Sequence, residues 1–483
     1  ERPWSEAKIR VDAVHRRLPR DVKHTAFVPA RGLAHKGDKV HFDSASYREL
    51  GRRYAKAYLE LVGSPEKRGA GKSVRPNVIL IMADDVGYEC FGCYGSRQYK
   101  TPHIDRLARR GMMFRHCYSQ PLCTPSRVKL MTGLSNARNY SAFSVLNRDQ
   151  KTIGQYLGEG GYRTAVAGKW QLLGARHYGL RFRGKGTWPE KAGFDETCLW
   201  QVDQLGSRYW QPLLYVNGKN RQFGPDEYGP DLVTRSVTDF ITANRDRPFF
   251  VYMPLIQVHN PFLPTPGSVS RKSKKRQKNF EDMVAYMDSQ VGRVVAKVEQ
   301  LGLEKNTLIV FVGDNGTNKA IRSRLGERVI RGGKGLLTDA GTRVPLVVGW
   351  PGVIPAGRVT DRIVDFSDFL PTVLEATGLP IPRGLDGQSF LEVARGGEGS
   401  RRSWIYVYYC PRPEKTPPRR FVRDTRFKLY GDGRFLDVVA DVLEQHPITD
   451  PSADSKAAAA HSRLARALAS MPGKGQSLLK FAP

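Results

Sequence analysis

Two pairs of oxygen-bearing side chains, Asp84-Asp85 and Asp314-Asn315, each follow a short apolar run, Asn77–Ala83 and Thr307–Gly313. Adjacent carboxylates repel one another and resist burial unless a cation neutralises them. Oxygen donors of this kind suit Ca²⁺ or Mg²⁺ better than zinc. Either pair alone reads equally well as a turn or a helix cap; two pairs after two apolar runs point to a metal site. Further apolar runs end in Lys169 (after Thr164–Gly168) and His259 (after Phe249–Val258). The segment Leu122–Arg127 reads LCTPSR. Pro125 and Ser126 can begin a helix that runs to Thr132 and ends at Gly133. Cys123 then sits beside a helix N-terminus, an end that favours anions and lowers a thiol pKa. Arg127, one turn on, can neutralise an anion. A lone cysteine is also a small buried hydrophobe. Cys90 and Cys93 form one CxxC, but no second pair follows at the spacing of a zinc ribbon.

The elements that must position these groups alternate. Apolar, β-branched runs predict strands at Asn77–Met82, Thr164–Ala167, Phe249–Met253, Thr307–Val312 and Leu346–Trp350. Helices are predicted at Pro102–Arg110 (Thr101 as N-cap, Gly111 closing it), Ile153–Glu159, Pro230–Asn244, Asn279–Gln300 and Phe366–Ala376. Strands apolar on both faces and separated by helices imply a parallel or mixed sheet between helical layers. The charged residues fall beyond the carboxyl ends of its strands, where open α/β sheets bind ligands. From about Ser403 the pattern changes: Trp404–Tyr409 and Arg420–Leu429 read as antiparallel strands and Ala457–Ser470 as an Ala-rich helix. The expected domains are a small α/β piece over 1–62, containing a helix from Ser44 to Val62, a flexible linker over 63–76, a catalytic domain over 77–400 and a smaller α+β subdomain over 401–483.

Composition narrows the classes. The chain has 483 residues, 40% hydrophobic and 10% aromatic, which excludes wholesale disorder. No apolar run approaches the roughly 18 residues of a membrane span. Six cysteines are too few for a disulfide scaffold. Lys and Arg number 77 against 47 Asp and Glu, a formal charge of +30, which favours polyanions such as nucleic acid, anionic membrane or acidic polysaccharide. The densest run, Arg271–Lys278 (RKSKKRQK), reads as a solvated loop. No nucleic-acid motif accompanies the charge. The chain begins with Glu rather than Met and reads as trimmed.

C-T-P-S-R fits the pattern Cys-x-Pro-x-Arg. Downstream of NVILIMADDVGY and upstream of GKW, GDNG and GGKG, it resembles the formylglycine-dependent sulfatases of the alkaline phosphatase superfamily, over roughly Pro76 to Gln445. The resemblance implies an alkaline-phosphatase-like fold: a large mixed sheet between helices with a smaller C-terminal antiparallel subdomain. It implies that a separate formylglycine-generating enzyme oxidises Cys123 to formylglycine, whose hydrate is the nucleophile. Asp84, Asp85, Asp314 and Asn315 match the residues that hold a divalent cation, Ca²⁺ usually, with Mg²⁺ as the other candidate. Arg127 matches the residue that supports the formylglycine. Lys169 and Lys334 match lysines on the sulfate, and His259 a histidine near sulfate and leaving group. Glycines around Lys334 suggest close approach of a ligand. One position departs: the family has His two residues after the first lysine, and here Gln171 stands there. Gln can hydrogen-bond but cannot take a proton.

Leu33–Tyr58 is similar to the tail of a sialate O-acetylesterase-type SGNH esterase, whose D-x-x-H is matched by Asp38 and His41. The serine block is missing, so this piece is expected to be inert and to come from a longer parent. The expected activity is hydrolysis of sulfate esters, of a sulfated carbohydrate in particular, by a periplasmic or secreted enzyme with neither nucleic-acid partner nor membrane span. A phosphonate or phosphodiester hydrolase of the same superfamily, and a non-catalytic binder of sulfated glycans, remain as alternatives.

Overall fold

The run NVILIMA has too little polar surface for a solvated strand. In the computed structural model it forms β1 (Asn77–Ala83), buried along its whole length. Successive side chains point to opposite faces: Val78, Leu80 and Met82 join one hydrophobic core, Ile79, Ile81 and Ala83 the other. The structure describes residues 6–22, 25–34, 37, 42–62, 75–174, 181–399, 402–413 and 415–473. It divides into two units, Glu1–Ser73 and Val74–Pro483.

The first unit holds helices α1 (Glu6–Asp21) and α2 (Ser44–Val62). No strand occurs among its described residues, and the α/β piece expected over 1–62 also spans residues that lie outside them. Asp38, His41 and linker residues 63–74 lie outside the described residues.

In the second unit β1 is central to a ten-stranded sheet with β2 (Met112–Tyr118), β3 (Arg163–Lys169), β4 (Glu196–Trp200), β5 (Leu213–Val216), β6 (Lys219–Gln222), β7 (Phe249–Pro254), β8 (Thr307–Gly313), β11 (Arg343–Gly349) and β12 (Arg358–Asp365). Its order is β12-β2-β11-β8-β1-β7-β3-β4-β5-β6. The block β8-β1-β7-β3-β4 is parallel, and β11 runs antiparallel between β8 and β2. β9 (Arg322–Leu325) and β10 (Arg328–Arg331) form a separate ribbon. The C-terminal strands β13 (Ile405–Tyr409), β14 (Arg419–Arg423), β15 (Phe427–Tyr430) and β16 (Phe435–Asp437) make an antiparallel sheet. The helix Ser455–Ser470 packs Ala457, Ala460 and Leu464 against one face of it. A mixed sheet with a small antiparallel subdomain is the expected class.

Several local readings shift. β11 begins three residues before the predicted strand because Pro345 sits in it at a register irregularity between Val344 and Leu346. Arg420–Leu429 is two strands rather than one. Gly111 does not close the helix α3 (Pro102–Arg109), whose cap is Arg110; a Cβ on Gly111 would stand 2.1 Å from Val348 O, so it is a packing glycine. Thr101 holds the N-cap position as expected but makes no side-chain cap bond; its hydroxyl accepts from Gly92 N and donates to Asp105. The last three residues of the basic run belong to the helix Arg276–Gln300.

Candidate active site

Because β1, β3, β7 and β8 run parallel, their carboxyl ends open on one edge of the sheet. The β1–β8 ladder ends with Ala83 opposite Gly313, so Asp84 and Asp314 leave adjacent strands at the same level. Asp314 N donates to Ala83 O at 2.8 Å. Asp85 adopts φ 59° and its N donates to Asp314 Oδ1 at 3.0 Å. Lys169 is the last residue of β3. It is set there by Gly168 (φ 133°), where a Cβ would stand 1.8 Å from Pro254 O of β7.

β2 delivers the chain to α4 (Cys123–Thr132), which starts at Cys123 itself, earlier than Pro125. Ser126 bonds Gln120 and Leu122 rather than capping the helix, and Gly133 (φ 66°) ends it as expected. All ten residues of α4 are buried. The thiol shifts opposite to the expectation: burial pushes its pKa up, outweighing nearby Lys169 and Lys334. Cys123 Sγ and one carboxylate oxygen each of Asp84 and Asp314 lie within 4.8 Å of one another; so do ligand atoms of Asp84, Asp85 and His259.

Three carboxylates and three bases interlock here. Arg127, fully buried, donates Nη2 to Asp314 Oδ2 at 3.0 Å and Nη1 to Lys169 O at 2.9 Å. Lys169 Nζ stands 2.7 Å from Asp84 Oδ2, off the hydrogen-bonding direction, so both Asp84 oxygens lack a hydrogen bond. Lys334 Nζ donates to Asp85 Oδ2 at 2.6 Å. Burial pushes all three acids toward their neutral forms. Lys169 and other cations more than reverse this at Asp84, and Lys334 at Asp85, so both fall below the usual range. Asp314, with burial and Asp84 against it, is pushed up to about 8 despite Arg127.

This donor set fits a hard divalent cation. Asp84 Oδ1 and Asn315 Oδ1 are buried acceptors without a partner, and Asp314 is an acid whose charge the surrounding bases do not carry. An unmet buried acceptor costs about 1–3 kcal/mol, which a cation bound by oxygen would remove.

His259 lies five residues past β7. Its Nε2 is 3.1 Å from Lys334 Nζ and 3.6 Å from Asp85 Oδ2. Burial drives its pKa down to about 4, with Lys169 and Lys334 acting in the same direction against Asp85 and Asp84. Lys334 is fixed by its own N–H to Thr317 O and by Gly335 N to Pro121 O. The glycines beside it are needed by the chain itself: a Cβ on Gly332 would stand 2.1 Å from Asn318 O, and one on Gly333 2.5 Å from Ala340 C. Gln171 is buried at φ 56° and accepts from Thr124 Oγ1 at 3.3 Å. Thus Cys123, Arg127, Lys169, His259, Lys334, Asp84, Asp85, Asp314 and Asn315, drawn from residues 84 to 334, come together at one sheet edge.

Three neighbours had no signal in the sequence. Glu89 is fully buried, its pKa raised by burial, and accepts from Thr317 Oγ1 at 2.6 Å, while that hydroxyl accepts from Gly87 N at 2.9 Å. It thereby ties the loop after β1 to the loop after β8. Tyr409, from β13, is pushed up to about 12 chiefly by burial and feels the charges of Cys123 and Lys334. Arg208 Nη1 lies 2.8 Å from His259 Nδ1.

The chain matches known families over most of its length. The Sulfatase family model matches residues 76–379, that of the N-sulphoglucosamine sulphohydrolase C-terminal region residues 333–464, and that of a sialic acid-specific acetylesterase, a carbohydrate esterase, residues 4–60. Arylsulfatase A of Homo sapiens is 30% identical, over 74% of this chain and 74% of its own. Steryl-sulfatase of Mus musculus is 29% identical, over 74% and 71%. The crystal structure of Ps i-CgsB in complex with k-i-k-neocarrahexaose aligns with a TM-score of 0.70 and 26% identity, covering 83% of this chain and 94% of its own. A phosphonate monoester hydrolase of Agrobacterium radiobacter shares the fold, with a TM-score of 0.62 and 20% identity over 82% and 95%.

Proposed function

This chain belongs to the sulfatase family, hydrolases of sulfate esters, and on that premise we propose that it removes sulfate from a sulfated carbohydrate, using Cys123 after its conversion to formylglycine. The observation that carries the reading is the convergence, among buried side chains, of Cys123 Sγ with Asp84 and Asp314, bordered by Arg127 and Lys169. The esterase-model match at residues 4–60 supports a carbohydrate substrate. We read 1–62 as an esterase remnant, 63–76 as a linker, 77–400 as catalytic and 401–483 as a subdomain. The enzyme would work in the periplasm or outside the cell, where sulfated polysaccharides are met.

Sulfuryl transfer moves a compact anion, so the protein's task is to hold charge and geometry. Asp84, Asp85, Asp314 and Asn315 would hold Ca²⁺, which supplies positive charge to the sulfate oxygens. Formylglycine, made from Cys123 by a formylglycine-generating enzyme, supplies a hydrated aldehyde as the nucleophile. With the cation bound, all three carboxylates would be charged and would balance Arg127, Lys169 and Lys334, so the cation's own charge would leave the site positive and selective for an anion. Lys169 and Lys334 bind sulfate oxygens from two sides. Arg127 fixes the first turn of α4, and with it the nucleophile's position, through Asp314 and Lys169 O. His259 Nε2, beside Lys334, holds a proton at the leaving oxygen.

The test is the mass of the peptide holding Cys123, from protein co-expressed with a formylglycine-generating enzyme, followed by a panel of sulfated sugars against phosphate esters. Loss of mass from thiol to aldehyde, with turnover of sulfate esters, is expected. A thiol that persists while a control sulfatase matures in the same cells would overturn the reading. Gln171 favours one second reading, a binder of sulfated glycans; binding without turnover by matured protein would establish it.

A further inference from the structure

Arg208 lies between β4 and β5 and is held from several sides. Its guanidinium stacks on the buried ring of Trp200, 3.9 Å from the centroid. Its neighbour Tyr209 is buried and donates to Ile256 O and His259 O. Its carbonyl leaves no room for a side chain at Gly229, where a Cβ would stand 2.1 Å away. Arg208 itself is half-buried, and among the described residues it has no carboxylate partner. Its one polar contact there is Nη1 to His259 Nδ1, at 2.8 Å.

That contact is not a settled one. His259 Nδ1 also lies 2.7 Å from Asn260 O, and Nε2 lies 3.1 Å from Lys334 Nζ. With its proton on Nδ1, the neutral ring donates to Asn260 O and accepts from Lys334, and Arg208 then faces an N–H. With the proton on Nε2, the ring accepts from Arg208, and Lys334 faces the N–H while Asn260 O loses its donor. In either state the guanidinium, held on the face of Trp200, has no charged acceptor among the described residues, and its remaining N–H donors are open to an anion. Arg208 sits at the Nδ1 edge of His259, across the width of one imidazole ring from the Nε2 edge that serves the leaving oxygen in the reading above, so it borders the leaving-group side of the site without touching the leaving oxygen.

Resting on the sulfatase reading, we propose that Arg208 binds a second anionic group, a carboxylate or a further sulfate, on the sugar that departs with the leaving oxygen. A planar guanidinium held on an aromatic face binds such groups through two parallel hydrogen bonds. The preferred substrate is therefore a multiply charged saccharide rather than a sulfate ester on a neutral sugar, and the excess of 77 basic over 47 acidic residues suits its capture.

The test uses three disaccharides that share the scissile sulfate, at a position the enzyme accepts, and differ on the neighbouring unit: a uronic acid, its carboxyl-reduced alcohol, and the alcohol carrying a second sulfate. Two readouts are taken at about 0.15 M salt: kcat/KM with the matured full chain, and Kd by calorimetry with Cys123→Ala. The wild type is expected to favour at least one charged disaccharide over the neutral one by tenfold or more. Arg208→Ala should lose most of that ratio, and Arg208→Lys should recover part. Preference for the carboxylate, the sulfate or both identifies the group. No preference in the wild type, or an Arg208→Ala loss equal on all three, overturns the proposal. If the matured chain hydrolyses none of them while Cys123→Ala still binds with the Arg208-dependent preference, the hydrolytic reading fails and the anion site stands.

Discussion

Lys129 is a buried cation in the helix that begins with Cys123, and its removal should be costly. Its Nζ lies 2.7 Å from Asp365 Oδ2 at the end of β12 and 3.0 Å from Tyr406 O in β13, and both members of the ion pair are about 1% exposed. Burial pushes the Asp365 carboxyl up, and Lys129 with Arg402 more than offsets it, so the acid stays charged. Attraction at this distance is about 6 kcal/mol at an effective dielectric of ~20, and desolvating the two ions consumes much of it. The pair is therefore near neutral against an apolar replacement, but losing one member strands the other. Lys129→Met should cost about 3–5 kcal/mol. For a unit of about 400 residues that lowers Tm by about 4–6 °C. Adding Asp365→Asn removes the stranded charge while its oxygen still accepts from Ser367 N and Oγ; the double variant should recover about 2 kcal/mol or more. Calorimetry and urea unfolding of the wild type, the two single variants and the double variant measure the coupling. A Lys129→Met cost below ~1 kcal/mol, or a double variant as unstable as the sum of the singles, would refute the reasoning.

Removing divalent cations with a chelator should lower the wild-type Tm by about 5 °C if the ion is present at about 1,000 times its Kd; Asp314→Asn should abolish the shift and cut sulfate ester turnover by more than ~10³-fold. Restoring a base with Gln171→His, a residue tolerated at positive φ, should raise kcat at least about tenfold, and an unchanged or lower kcat with normal maturation argues against a missing base. Gly168→Ala should reduce kcat/KM by more than ~10-fold, because the new Cβ meets Pro254 O and displaces Lys169. His116 is pushed down to about 4 by burial, Arg343 and Arg423, so below about pH 6.5 the unfolded chain binds a proton that the folded chain refuses. Stability should fall between pH 6.5 and 4 by about 3 kcal/mol more in the wild type than in His116→Gln, read from paired urea titrations.

Much of the site was legible because its residues follow strands whose own sequences are unmistakable. After their first residues, Asn77 and Thr307, NVILIMA and TLIVFVG carry no polar side chain on either face and fit a doubly covered sheet, so the residues after them had to emerge at its edge. β2 (MMFRHCY) and β11 were harder to read: Arg115 and His116 break the apolar run of one, and Pro345 the other. The thiol of Cys123 was misjudged because position at a helix start is local, whereas the burial that raises its pKa comes from the whole fold.

Residue types and order by themselves determined the α/β class and pointed to an oxygen-rich ligand set, since each depends on chemistry within a few residues of chain, while the candidate nucleophile Cys123 and the departure at Gln171 came from the resemblance to a family. Only the tertiary structure decided that the glycines near Lys334 and Gly111 serve chain packing, that Glu89 ties together the loops carrying Asp85 and Asp314, and that Arg208 stands against His259. Those facts depend on distances between segments tens to hundreds of residues apart. Such distances are set by the closing of a sheet, in which every strand constrains its neighbours and no single stretch of sequence carries the result.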